Sequence, residues 1–268
     1  IKTKNWLKRL INWWANLSSS STMDKTDMIY GTRAVIEAIL AGKDIDKVMI
    51  QSGLSNDLVK ELIAVARNNN VPVVFVPPEK LKRLSTKNHQ GVICLLSTVS
   101  FASVDNLIFK AYQEGREPFF LILDRITDVR NFGAIVRTAE CAGLDGIIIA
   151  EKGNAPITGD AMKTSAGALN HVPICREKDI RKTMSLLREH GIRIVACTEK
   201  TEKSIYSLNL SGPIALIMGS EDDGISEPLL RDADELARIP LKGKIGSLNV
   251  SVAAGVALYE VLRQHDKG

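Results

Sequence analysis

Three loops of this chain carry side chains able to do chemistry, and each follows an apolar run. The first, Leu123 to Gly143 (LDRITDVRNFGAIVRTAECAG), holds Asn131, Gly133 and Arg137. The second, Ile217 to Ser226 (IMGSEDDGIS), sets Glu221, Asp222 and Asp223 between Gly219 and Gly224. The third, Ile239 to Gln264, begins IPLKGKIGSLNVSVAAG and holds Ser247, Leu248, Asn249 and Ser251. Arg137 falls one to two turns inside a helix, between Ile135–Val136 and Ala139, so it reads as partly buried. A partly buried guanidinium needs an anion, either a structural carboxylate or a ligand phosphate. Asn131 can cap its helix, and Ser247 can cap the last one. Asn249 in the first turn of an apolar helix must have a hydrogen-bond partner, because an unpaired buried amide is costly. The simplest reading of the acidic triplet is a solvated turn. No His is near it and its spacing fits no metal loop, so no metal is expected. Neither GxGxxG nor GxxxxGK[ST] occurs, which excludes a dinucleotide fingerprint and a P-loop.

These loops need a frame. The runs FLIL, GIIIA, RIVAC and IALIM are continuously apolar, as strands of a parallel sheet covered on both faces are. The expected strands are 119–124, 146–150, 192–197, 214–218 and 236–239. The expected helices are 131–142, 179–189 and 247–264, the last almost free of charge before Glu260 and therefore buried on several sides. In open α/β sheets, ligands gather beyond the carboxyl ends of the strands, where all three loops lie. Upstream, a smaller α/β unit is read at 28–97. Its strands are 47–50, 73–76 and 92–96, and its helices are 32–40 (capped by Thr32, closed by Gly42), 55–69 and 79–84. The expected division is an appendage at 1–27, this small domain, a connector with a helical piece at 98–117, and the larger domain at 118–268.

Charge separates these parts. The chain has 268 residues, 35 basic and 31 acidic, for a net +4. Lys2, Lys4, Lys8 and Arg9 lie in the first 22 residues, which contain no acid; without them 31 bases face 31 acids. The net charge therefore does not make the body a nucleic-acid binder. Trp6, Trp13 and Trp14 share that stretch at helical spacing, which reads as an amphipathic surface helix or, preferably, a tag or reading-frame artefact ahead of Met23. Residues 28–97 hold nine Lys/Arg against six Asp/Glu, with a cluster at Lys80, Lys82, Arg83 and Lys87. Such a cluster is a solvated face or an RNA contact. Cys94, Cys141, Cys175 and Cys197 form no CxxC pair and read as reduced thiols of a cytoplasmic protein. No apolar run reaches the ~18–20 residues of a membrane span.

Taken in order, N-x-G-x-x-x-R-T-A, M-G-S-E-x-x-G and I-P-L…S-L-N-V-S-V-A resemble the three motifs of the SpoU (TrmH-like) branch of the SPOUT RNA methyltransferases. The likeness spans Pro118 to Gln264. It continues into the small domain, where IYGTRAVIEAIL and NHQGVIC are similar to the RNA-binding domain of the 23S rRNA (guanosine-2′-O-)-methyltransferases. The resemblance implies an α/β fold: a SPOUT domain with a parallel sheet and a deep trefoil knot, preceded by a small domain like ribosomal L7Ae/L30e. Generic topology rules would have excluded the knot. It implies S-adenosylmethionine as methyl donor, with Met218, Gly219, Ile239, Leu248 and Thr198 lining its pocket, and a homodimer with that pocket near the interface. Arg137 matches the catalytic arginine, and Asn131, Glu221, Ser247 and Asn249 match the supporting polar residues. The RNA would meet Arg33, Lys80, Lys82, Arg83 and Lys87 on the small domain. Three positions depart from the common pattern: Arg33 in place of His, Asp222 in place of Gly, and Asn170 in place of Glu. None removes a catalytic candidate. The competing readings are a tRNA 2′-O-methyltransferase of the same branch, a non-catalytic RNA-binding or ribosome-assembly protein on the same scaffold, and, more distantly, a Rossmann-type dehydrogenase or unrelated α/β binding protein.

Overall fold

The computed structural model describes residues 28–266. The appendage read at 1–27, with its five cations and three Trp, lies outside the described residues.

The first unit runs β1 (Met28–Tyr30), α1 (Thr32–Leu40), β2 (Ile45–Gln51), α2 (Asp57–Asn68), β3 (Val73–Val76), α3 (Pro78–Leu84) and β4 (Val92–Leu96). Its sheet order is β1-β4-β2-β3, with β4 antiparallel to both neighbours and β3 parallel to β2. Val35, Ile39, Val48 and Leu62 pack on one face of the sheet; Met49, Leu81, Ile93 and Leu95 pack on the other. Thr32 does not cap α1. That place is taken by Gly31 at φ +85°, and Thr32 is the buried first residue of the helix. Gly42, at φ +69°, closes the other end by donating to the Ile39 carbonyl. In α2 the cap is Asn56, whose side chain accepts from the Val59 N–H.

The second unit runs α4 (Val104–Gln113), β5 (Phe119–Asp124), α5 (Val129–Cys141), β6 (Gly146–Ala150), α6 (Gly159–Thr164), β7 (Ile174–Glu177), α7 (Ile180–Glu189), β8 (Arg193–Cys197), β9 (Ile214–Gly219), α8 (Glu227–Asp232), β10 (Glu235–Ala237) and α9 (Val250–His265). Six strands, all parallel, stand in the order β10-β8-β9-β5-β6-β7. The central pair, β5 and β9, is buried at every residue, which accounts for its continuously apolar sequence. Phe132, Ile135 and Val136 of α5 with Ala254 and Leu258 of α9 cover one face. Ile108 of α4, Met184 and Leu187 of α7 and Leu229 of α8 cover the other. The helical piece of the connector, α4, is therefore part of the second core.

Two helix starts differ from expectation, and both matter for the site. Asp128, not Asn131, caps α5, accepting from the N–H groups of Arg130 and Asn131. Asn249, not Ser247, caps α9, accepting from the Ser251 N–H at 3.0 Å. In both cases the cap is the residue directly before the first helical one: α5 starts ahead of Asn131, which falls inside it, and α9 starts two residues beyond the one after Ser247. Asn131 is thereby released from capping and can reach elsewhere.

Candidate active site

The three loops meet at the carboxyl end of β9. The second and third of them, with the end of β8, enclose a cleft of about 900 Å³ lined by Thr198, Met218, Gly219, the 220–225 turn, the 238–242 segment and residues 246–250; no residue of the first lines it. Thr198, Met218, Gly219, Ile239 and Leu248, all expected at a donor pocket, line it. Met218 and Thr198 are buried, so what they offer is mostly wall and backbone. Leu248 is 38% exposed and forms a rim. Gly219 is required by packing: a Cβ there would run into the Gly224 carbonyl carbon and the Ile225 nitrogen. Ser220 and Gly224 exchange backbone hydrogen bonds across the turn, which lifts Glu221, Asp222 and Asp223 to its tip.

At the rim, one side chain from each loop joins a closed cluster. Asn131 donates to Glu221 Oε1 at 2.7 Å. Asn249 donates to the same oxygen at 2.8 Å and to Asn131 Oδ1 at 3.1 Å. Asn249 Oδ1 in turn accepts from the Ser251 hydroxyl at 2.6 Å. Both side-chain polar atoms of Asn249 are thus committed, which meets the expectation that it has a partner, although the residue is exposed rather than buried. Charge-assisted bonds of this kind fix geometry more firmly than neutral ones. Glu221 therefore works as an acceptor that aligns two amides, rather than as an idle acid of a solvated turn.

Arg137 stands apart. It is exposed, does not line the cleft, and makes no hydrogen bond or ion pair with another described residue. The expectation of partial burial is corrected here, and the reason is helical geometry. The buried stripe of α5 is Phe132, Gly133, Ile135, Val136 and Ala139. Each residue step turns the helix by about 100°, so apolar neighbours in sequence do not share a face. Ser247 is also exposed, at the mouth of the cleft, and has no hydrogen-bond partner among the described residues.

Arg125 was not singled out from sequence. It follows β5 at φ +61°, a strained value for a residue with a Cβ. From there it reaches Asp223 and the Gly224 carbonyl, both at 3.0 Å. Its neighbour Asp124 accepts from the Ser226 N–H at 2.7 Å. Together they pin both ends of the acidic turn to the end of β5. Lys242, at the cleft mouth, was also missed; the only signal was a pair of lysines within a glycine-rich loop.

On the small domain, Arg33, Lys80, Lys82, Arg83 and Lys87 are all exposed. Lys82 and Lys87 share a hollow of about 670 Å³ with Asn88, His89 and Gln90, and Lys87 Nζ sits 5.0 Å from the centre of the Tyr30 ring. Arg33, Lys80 and Arg83 do not line this hollow. Among the described residues, no group of three or more His, Cys, Asp or Glu could hold a metal ion, and no helix is long and apolar enough to cross a membrane.

Comparison with known proteins agrees with both units. The profile of the SpoU rRNA Methylase family matches residues 118–259, and that of the RNA 2′-O ribose methyltransferase substrate-binding domain matches residues 28–102. A Bacillus subtilis protein, YacO, named for the TrmH family of tRNA/rRNA methyltransferases, is 32% identical over 90% of this chain and 96% of its own. An AdoMet-bound rRNA methyltransferase from Sinorhizobium meliloti is similar in structure, with a TM-score of 0.56 and 27% identity over 90% of this chain and 88% of that one. A structure concerned with 2′-OH methylation of C/U34 on tRNA matches with a TM-score of 0.50 and 27% identity, covering 96% of that chain but 55% of this one. With its parallel six-stranded sheet, its cleft built from two motif loops and tied at the rim to the third, and its separate substrate-binding domain, the chain belongs to the SpoU (TrmH-like) family of methyltransferases.

Proposed function

We propose that this protein methylates the 2′-hydroxyl of a ribose, a guanosine of 23S rRNA, with S-adenosylmethionine as donor. The observation that carries the reading is the Asn131–Glu221–Asn249 cluster. Its three members come from three distant loops and meet on the rim of a cleft of ligand size. The residues present fit the donor. Met218, Ile239, Leu248 and Val250 supply apolar walls, Gly219 leaves its backbone open to close approach, and four carboxylates (Glu199, Glu221, Asp222 and Asp223) outnumber the two cations of the lining, Arg238 and Lys242, which favours a cationic ligand.

When bound, S-adenosylmethionine supplies a methyl group already activated by the sulfonium charge, so the chemistry asks for no metal. The chain must align the ribose oxygen and help it lose its proton. A guanidinium is a poor base at neutral pH. Arg137, exposed and unpaired, suits a grip on an RNA phosphate and stabilisation of the developing alkoxide. The Asn131–Glu221–Asn249 cluster and Ser247 would hold the ribose side of the site. Lys82 and Lys87 in their hollow, with the exposed Arg33, Lys80 and Arg83 of the same domain, would position RNA phosphates.

We further propose that the domains divide at 28–97, 98–117 and 118 onward, that the cleft segments thread as the family's trefoil knot, and that the protein is a cytoplasmic homodimer. The exposed Val252 and Tyr259 lie seven residues apart on one face of α9 and suit a second copy of the chain.

Ribosomal RNA is favoured over tRNA because the tRNA-related structure has counterparts for only 55% of this chain, whereas the Sinorhizobium rRNA methyltransferase covers 90%. The test is methyl transfer to unmodified 23S rRNA fragments and to tRNA, with the product position mapped. The expected product is a 2′-O-methylguanosine in 23S rRNA, and a mark confined to tRNA would favour the rival. Calorimetry with S-adenosylmethionine separates the enzyme from a non-catalytic RNA-binding protein, which would show no donor binding.

A further inference from the structure

The two units are joined by more than the connector. Arg176, on β7 of the larger unit, donates to the carbonyls of Ile45 and Asp46 on β2 of the smaller one, both at 2.8 Å. Its guanidinium lies over the ring of Phe101, 3.8 Å from the centroid. Asp46 is 8% exposed, and its Oδ1 accepts from the Ile157 N–H of the larger unit at 3.3 Å. Its other oxygen sits 3.4 Å from Lys47 Nζ. Flanking these, Ser100 donates to Asp44 at 2.8 Å and Lys178 to Asn70 at 2.5 Å.

Exposed ion pairs would explain little of this, because they hold domains weakly. Arg176 differs. Its charge is half-buried, and burial pushes its proton affinity down against the pull of Asp46, Glu151 and Asp44. A buried guanidinium must keep its acceptors, and stacking on an aromatic ring adds attraction in one orientation only. The acceptors are carbonyls at the start of a central strand, so they cannot shift without moving the sheet. Interfaces between domains of one chain are mobile by default unless something specific closes them. Here the closing element is a planar cation that gives one nitrogen to two carbonyls and one face to an aromatic ring.

We infer that Arg176, seated on Phe101 and backed by Asp46, is a positioning residue that latches the small domain to the methyltransferase domain, so that an RNA strand held by the former reaches the cleft of the latter in one register. The inference rests on the reading of the small domain as the RNA-holding part. The latch carries no chemistry. Its loss would loosen the presentation of RNA and leave the cleft intact.

The test uses the full chain. R176M keeps the apolar contact with Phe101 and removes the donors. D46A removes the acceptor for Ile157, and D46N keeps it. R176M and D46A are expected to widen the interdomain distance distribution in small-angle scattering. They should raise KM for 23S rRNA fragments about tenfold, with kcat within about twofold and S-adenosylmethionine affinity by calorimetry unchanged; D46N, which keeps the acceptor and loses the charge, should fall between wild type and D46A. A scattering profile and KM unchanged in both R176M and D46A would overturn the latch. So would a loss confined to kcat. If wild-type protein methylated no RNA, the function proposed above would fall, and the scattering comparison alone would still decide the latch.

Discussion

At the scale of single residues, the site divides labour between side chains that hold one another and one that holds nothing. Asn131, Glu221 and Asn249 hydrogen-bond to one another through both amides and one carboxylate oxygen. Such a cluster costs no reorganisation when a substrate arrives. Arg137 has its donors free, which is the state of a group whose partner is the substrate. Arg137→Ala is therefore expected to lower methyl transfer by ~10²–10³-fold, with donor affinity unchanged and RNA affinity reduced far less than transfer, since one phosphate contact among several is lost. Single-turnover kinetics beside filter binding would show it, and near-normal transfer would remove Arg137 from the mechanism. The identities of these residues were legible in the sequence, because the motif order carries them. Their environments were not. Partial burial of Arg137 was inferred from sequence neighbours that face elsewhere on the helix, and the capping roles of Asn131 and Ser247 went instead to Asp128 and Asn249. Local hydrogen-bonding competition decides such details, and sequence spacing does not rank the competitors.

At the scale of elements, the site depends on close approaches that only glycine allows. A Cβ on Gly133 of α5 would collide with the side chain of Thr164 at the end of α6 and lie 2.8 Å from the Ser165 nitrogen. Thr164 cannot swing away cheaply, since its hydroxyl lies 3.1 Å from the Val129 carbonyl and 2.9 Å from that of Asp160. Gly133→Ala should thus cost about 1–3 kcal/mol of stability, as overpacking does. A denaturant titration measures it; a neutral result would mean that α6 moves freely from α5. The glycine itself stood out in the sequence, but its reason did not. The partner helix, α6, has six residues, too few to show a helical period, and α8 escaped notice for the same cause. Long buried strands such as β5 and β9 were plain because two covered faces demand an unbroken apolar run. The parallel strand β7, with Arg176 in it, broke that rule and was missed.

For the whole molecule, burial is spread over both units, and its chemistry can be read through three thiols. Cys94 in the small domain and Cys175 and Cys197 in the larger one are each pushed up to about 12 by burial, while Cys141 is exposed. An unfolded thiol ionises near ~8.5. Between that pH and about 12 the unfolded chain sheds protons that the folded chain keeps. These thiols then favour unfolding, and stability falls as pH rises. Below ~8.5 they contribute no pH dependence. Thermal unfolding from pH 7 to pH 10.5 should show Tm dropping chiefly above pH 9, and replacing the three cysteines with Ala or Val should flatten that drop. At pH 8, iodoacetamide should modify Cys141 alone in native protein. Labelling of Cys197 at a similar rate would show the cleft wall to be looser than the structure has it. The contacts between the units, by contrast, had no sequence signature, since Asp46 and Arg176 lie 130 residues apart and only the folded chain brings them together.

The same separations set the order in which this protein comes to life during synthesis. The small domain is complete once its fourth strand, ending at Leu96, has emerged. The cleft is not. Asn131 must wait 90 residues for Glu221 and 118 for Asn249, and the helix that Asn249 caps closes the described chain. Loop closure over such spans is slow and comes late. A nascent chain could therefore hold RNA well before it could modify any. A fragment cut anywhere between β4 and α9 would keep the first capacity and lack the second, so truncated products of this protein would compete for substrate without consuming it.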